Sequence, residues 1–145
     1  MRSVHNGNSG LALSGSCAGW QASEADKANH MKTAIIIISN PQGGDESLAR
    51  LFNALTLAVE CKTKGDEMEI TFIGTGTRWP AELARLDHPG NGLFNQVREH
   101  VGGASRACGQ FWGATAGLEA NEVHQIDSPA SLRRYLAEDW KTLIF

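Results

Sequence analysis

The stretch Lys32-Thr33-Ala34-Ile35-Ile36-Ile37-Ile38-Ser39 constrains the fold more than any other part of the chain. Thr33–Ser39 is a β-branched run that stays apolar on successive residues, so both of its faces must be buried. A strand with one wet face would alternate apolar with polar residues. The run therefore predicts a central strand of a parallel sheet. Asn40-Pro41-Gln42-Gly43-Gly44 breaks it, and Asp45 is expected to cap a helix beginning near Glu46. Leu48, Leu51, Phe52, Leu55 and Val59 recur at helical spacing, and Gly65-Asp66 ends that helix.

The alternation continues along the chain. Met68–Gly74 reads as a second strand. Thr75–Asn91 is a long connection, with a helical turn or two at Ala81–Leu86. Leu93, Phe94, Val97 and Val101 space as the inner face of a helix that Gly102-Gly103 stops. Ala104–Gly109 and Glu122–Ile126 read as short strands. Ser128-Pro129 starts a helix carrying Leu132, Tyr135, Leu136 and Trp140 inward, and Lys141–Phe145 closes as a last strand. This order predicts an α/β fold, a three-layer α/β/α sandwich with a five-stranded, mostly parallel sheet. With 145 residues the chain suits one sizeable core. That domain is expected over residues 31–145. Residues 1–30 are rich in Gly, Ser, Asn and Ala and predict a flexible extension, whether a genuine tail, an upstream-start segment or an added leader.

Composition excludes several functions. A formal net charge of −3 provides no footprint for nucleic acid. The longest apolar stretch, Ala34–Ile38, is strand-sized, so no membrane association is expected. Cys17, Cys61 and Cys108 are widely separated, without a CxxC pair or clustered His, which argues against a metal site. An odd cysteine count without a signal peptide suits the cytoplasm. No cofactor motif is present. A P-loop needs a spacing and a lysine that Ser39–Asp45 lacks.

In parallel α/β sheets ligands bind beyond the carboxyl ends of the strands. That rule selects Ser39–Asp45, Thr75–Asn91 and Cys108–Gly113. Cys108 is either a reactive thiolate at this rim or a small buried hydrophobe. Arg106, two residues earlier, is expected to share a strand face with it, and Gly109 to offer backbone amides. Cys61, with Ala54 and Leu57, forms a narrower helical strip that packs within the domain or against a second subunit. Asn40, Gly43 and Gly44 either present amides to an anion or form a plain capped turn. Arg78, Trp79 and His88 either shape a pocket, with His88 exchanging protons, or anchor the loop while His88 sits in solvent. His124 reads as a satisfied edge residue.

The run Ser105-Arg106-Ala107-Cys108-Gly109-Gln110-Phe111-Trp112-Gly113-Ala114, followed by Glu122-Val123-His124-Gln125-Ile126, the Ser128-Pro129 helix and the closing strand, resembles the DsrE/DsrF-like family. The opening strand and the Leu48-to-Val59 helix are similar to that family's start, so the resemblance spans Met31 to Phe145. It implies a three-layer α/β/α fold and homo- or hetero-oligomers. It also implies sulfur handling, in which the cysteine matching Cys108 receives a persulfide and passes it to a partner. Some members carry a second cysteine three residues later, where this chain has Phe111. The leading expectation is a sulfur carrier or sulfurtransferase acting through Cys108 between donor and acceptor proteins, without cofactor. Arg106 and the Gly109–Gly113 backbone would stabilise the anion. The alternatives are a non-catalytic module binding a small anionic or nucleotide-like ligand, and an oligomeric interaction protein.

Overall fold

The computed structural model describes residues 30–127 and 132–145. Residues 1–29 of the expected extension lie outside the described residues, as do Ser128 and Pro129.

Strand β1 (Lys32–Ile37) is buried along almost its whole length, as its two-faced apolar run requires. It pairs in parallel with β2 (Glu67–Phe72) on one side and with β5 (Lys141–Ile144) on the other. Beyond β2 lie β3 (Val101–Ser105) and the two-residue β4 (Gln125–Ile126), giving an all-parallel sheet of order β4-β3-β2-β1-β5.

Helix α1 (Gly44–Lys64) joins β1 to β2. Its first turn carries Asp45 and Glu46 and its last carries Lys62 and Lys64, which complements the helix dipole. Gly65 at φ 74° closes it, with Asp66 N–H donating to the Cys61 carbonyl at 2.9 Å and Gly65 N–H to that of Lys62 at 3.1 Å. The start differs from expectation. Gly43, not Asp45, stands at the N-cap position, no side chain caps there, and Asp45 lies within the first turn.

The buried stripe of α1 is Leu51, Ala54, Leu55, Ala58 and Cys61, while Phe52 and Val59 are only partly buried. Ranking by side-chain size favoured the larger residues, but Ala54 and Ala58 turn toward the sheet in their place. Ala54 and Cys61 therefore pack within their own domain, the first of the two expected arrangements of that strip, while Leu57 is only partly buried.

Between β2 and β3 the expected long loop is mostly helical. A 3-10 turn (Gly74–Arg78) runs into α2 (Trp79–Leu83), and α3 (Asn91–Val97) follows. Val101-Gly102-Gly103 belongs to β3 and does not terminate a helix. Gly103, at φ 148°, lies where a Cβ would stand 2.6 Å from the His124 carbonyl oxygen. Close backbone approach, rather than helix termination, is what demands glycine there.

Strand β3 ends at Ser105, so the expected Ala104–Gly109 strand is shifted. Arg106–Phe111 forms helix α4, and Thr115–Ala120 forms α5. Ile35, Ile37, Ile70, Phe72 and Ala104 bury one sheet face against α1, α2, α3 and α5, through residues such as Leu55, Leu83, Phe94 and Leu118. Ala34 and Ile36 form the second core with Tyr135 of α6 (Leu132–Ala137) and Trp140. These are the three layers. Leu136, expected inward, is 67 % exposed. With only a turn and a half in α6, Leu132 and Tyr135 meet the sheet while Leu136 is rotated off that face.

A polar cluster holds α6 to the sheet. Tyr135 Oη donates to Glu69 Oε1 at 2.7 Å and lies 2.6 Å from Thr71 Oγ1, and Arg134 forms an ion pair with Glu69. Burial, together with the Glu69 carboxylate, pushes the Tyr135 hydroxyl up to about 12. Among the described residues no helix is long and apolar enough to cross a membrane.

Candidate functional site

Cys108 lies three residues beyond the carboxyl end of β3, in the first turns of α4. Ser105, extended at φ −62° and ψ 118°, is the N-cap, and its Oγ accepts the Cys108 amide at 3.3 Å. The local sequence accounts for this. Gly103 and Ala104 are small enough for β3 to lie between β2 and β4, and Ser105 then stops the strand by offering a side-chain acceptor to a helix start. Cys108 is half-buried, so neither pure expectation, an open nucleophile or an enclosed hydrophobe, describes it.

Arg106 does not share a strand face with Cys108, because both lie on α4. Its guanidinium is drawn to the end of β4, where Nε pairs with Asp127 and Nη2 donates to the Gln125 carbonyl at 3.5 Å. Gly109 is buried against Leu118 of α5, and its carbonyl accepts the Ala114 amide at 2.7 Å. Its position therefore shapes the α4–α5 turn.

Three and four residues after Cys108 come Phe111, which ends α4, and Trp112, its C-cap residue. They form an edge-to-face pair with centroids 4.9 Å apart. Phe111 is 79 % exposed. Arg78 reaches this end of α4 from the 3-10 turn. Its Nε donates to the Trp112 carbonyl at 2.9 Å, and its guanidinium stands 5.7 Å from the Trp112 ring centre. The expectations named Arg78 but passed over Phe111 and Trp112, although the spacing from Cys108 was available in the sequence once the segment is helical.

Trp79 is buried at 1 % exposure and donates through Nε1 to Ser39 Oγ at 3.3 Å. It anchors the connection to the end of β1 from within the core. His88 packs edge-on to Trp79 at 5.9 Å, and its Nδ1 accepts the Gly90 amide at 3.0 Å. That bond leaves Nε2 to carry the ring proton of a neutral His88.

The Asn40–Gly44 turn is tied up internally. Asn40 Oδ1 accepts the Gln42 amide at 3.1 Å, and the Asn40 carbonyl accepts that of Gly43 at 2.8 Å. Asp45 and Glu46 follow immediately, and their carboxylates oppose an anion at this helix start. His124 precedes β4, exposed, with its carbonyl accepting the Ala104 amide at 2.8 Å.

Hollows on the surface of the described residues include two that bear on the candidate residues. A groove of about 220 Å³ beside Arg78 is lined by Ala81, Glu82, Gly113, Ala114 and Gly117. A larger one, about 370 Å³, lies among Met31, Leu57, Val59, Cys61 and Asp66. Met31 precedes β1 and Asp66 precedes β2, so this groove is at the amino ends of the strands, the opposite rim from Cys108. Burial pushes the Cys61 thiol above its ordinary range there. No group of three or more His, Cys, Asp or Glu able to hold a metal occurs among the described residues.

Comparison with known proteins adds one relative. The chain is 26 % identical over 108 residues to the uncharacterized protein MJ0733 of Methanocaldococcus jannaschii, covering 73 % of this chain and 88 % of that protein. No family model matches the chain, and no solved structure matches it.

Proposed function

We propose that the protein is a sulfur carrier of the DsrE/DsrF-like kind, holding a persulfide on Cys108 and passing it between donor and acceptor proteins in the cytoplasm. The observation that carries this reading is the half-exposed Cys108 thiol at the carboxyl rim of the internal strand β3, on a helix whose start is capped by Ser105. Residues at that rim are where parallel α/β sheets do their chemistry. The resemblance over Ser105–Ala114 and the closing elements points to the same cysteine.

The transfer needs no cofactor and no net oxidation. The Cys108 thiolate attacks the outer sulfur of a donor persulfide, so that a new S–S bond forms at Cys108 while the donor's S–S bond breaks and its thiolate leaves. An acceptor thiolate then attacks the outer sulfur on Cys108. The bond to Cys108 breaks, and the Cys108 thiolate is restored. A homo-oligomer would place several such cysteines in one assembly.

The test is intact mass after incubation with a persulfide donor, for wild type and Cys108→Ser. Wild type should gain one sulfur atom that reductant removes, and Cys108→Ser should gain none at the matching peptide. Equal gain in both proteins, or in neither, overturns the proposal.

A further inference from the structure

We infer that Phe111, Trp112 and Arg78 form a docking surface for a segment of another protein that places a carboxylate next to an apolar side chain, beside Cys108. The inference rests on the sulfur-carrier reading only for calling that protein the donor or acceptor.

A phenylalanine that is 79 % exposed, stacked edge-to-face on a tryptophan that is 37 % exposed, is a costly surface to leave in water. Phe111 ends α4 and Trp112 is its C-cap residue, three and four residues after Cys108. Phe111 stands 79 % exposed, whereas small molecules bind in concavities that enclose most of their surface. Exposed aromatics flanked by arginine are the composition of protein-binding hot spots.

Charge selects the occupant. Arg78 spends Nε on the Trp112 carbonyl, and among the described residues no carboxylate forms an ion pair with its guanidinium. The nearby Glu82, on the same groove, pairs with Arg85 at 3.3 Å. Arg106, the other cation of this rim, is paired with Asp127. The patch therefore presents one unpaired cation next to two aromatic rings, and a carboxylate beside an apolar residue complements it. A second copy of this chain fits poorly, because a two-fold axis through the patch would bring two Arg78 guanidiniums together.

The experiment compares two cysteinyl heptapeptides, each activated as a 2-thiopyridyl disulfide. One carries Asp and Leu beside its cysteine, the other Lys and Gln. The Cys108 thiolate attacks the peptide sulfur, the activated disulfide breaks, and pyridine-2-thione leaves as the Cys108–peptide disulfide forms. Rates at Cys108 are followed in the full chain by site-resolved peptide mapping. The Asp/Leu peptide should react about tenfold faster, as one ion pair and one aromatic contact would give. Arg78→Gln and Phe111→Ser should each bring the ratio toward one. A ratio near one in wild type, or a ratio that survives both substitutions, overturns the inference. So does a solution mass that falls in Phe111→Ser by light scattering, since a second copy would then cover the patch. Failure of wild-type Cys108 to take up sulfur would instead overturn the carrier reading and leave the peptide preference standing.

Discussion

Ser105 Oγ accepts the backbone amide of Cys108 at 3.3 Å, and this contact joins the end of β3 to the helix that carries the thiol. Ser105 is buried, so water cannot replace the bond without opening the turn. Ser105→Ala should cost about 1 kcal/mol of stability, the usual worth of an N-cap. Denaturant unfolding measures the loss, and faster hydrogen exchange at the Cys108 amide locates it. Unchanged exchange there would show that the cap does not hold this turn.

Gly76 lies where a Cβ would fall 2.2 Å from the Ile37 carbonyl oxygen and 2.7 Å from its carbon. Both are backbone atoms of the central strand and cannot move aside cheaply. Gly76→Ala should therefore destabilise the fold by about 2 kcal/mol or more. Gly92→Ala serves as the control, because nothing lies within 4 Å of its Cβ position. In helix α3 that change should be neutral or stabilise by about 0.5 kcal/mol.

Tyr135 is the chain's only tyrosine, so tyrosinate absorbance near 295 nm reports it alone. In the folded protein the midpoint should lie near 12, against 10.0 for an ordinary tyrosine. Because the folded value is the higher one, its contribution to stability is complete below pH 10. It is lost as pH rises toward 12. Stability should thus decline across that window in wild type, and Tyr135→Phe should remove this component. A folded midpoint near the ordinary value would contradict the Glu69–Thr71–Tyr135 cluster.

The two described cysteines should separate in an alkylation experiment. Cys61 is 2 % exposed and its thiol is raised by burial, so near neutral pH it is both shielded and poor in thiolate. Peptide mapping should find Cys108 modified about a hundredfold faster, with Cys61 reacting only through opening of the domain. Comparable rates in the folded protein would show that α1 does not pack as described.

Much of the architecture was legible because strong local patterns coincide with tertiary demands. Ala34–Ile37 could satisfy no environment but a two-sided core, although the apolar run continues to Ile38, which is exposed beyond the end of β1. Gly65 suited the left-handed turn that ends α1. The 101–111 segment was harder. Val101-Gly102-Gly103 has almost no strand propensity, and its glycines look like a helix stop until β4 is known to approach Gly103 from the side. An Ala104–Gly109 strand starts three residues late and gives Arg106 and Cys108 a strand's alternation, whereas both lie in a helix.

From sequence alone come the parallel sheet and the alternation of its strands and helices along the chain. These follow from periodicity, turn chemistry and the location of short strands, all of which are local. Tertiary structure decided which surroundings each candidate has. Asp127, 21 residues away, draws Arg106 to the end of β4; Ser39 and the core take Trp79; the end of α4 receives Arg78. Such pairings depend on strand order and helix approach, which bring distant residues together. No window of sequence holds both partners at once, so a side chain's chemistry can be proposed from its neighbours in the chain but its availability is settled only by the fold.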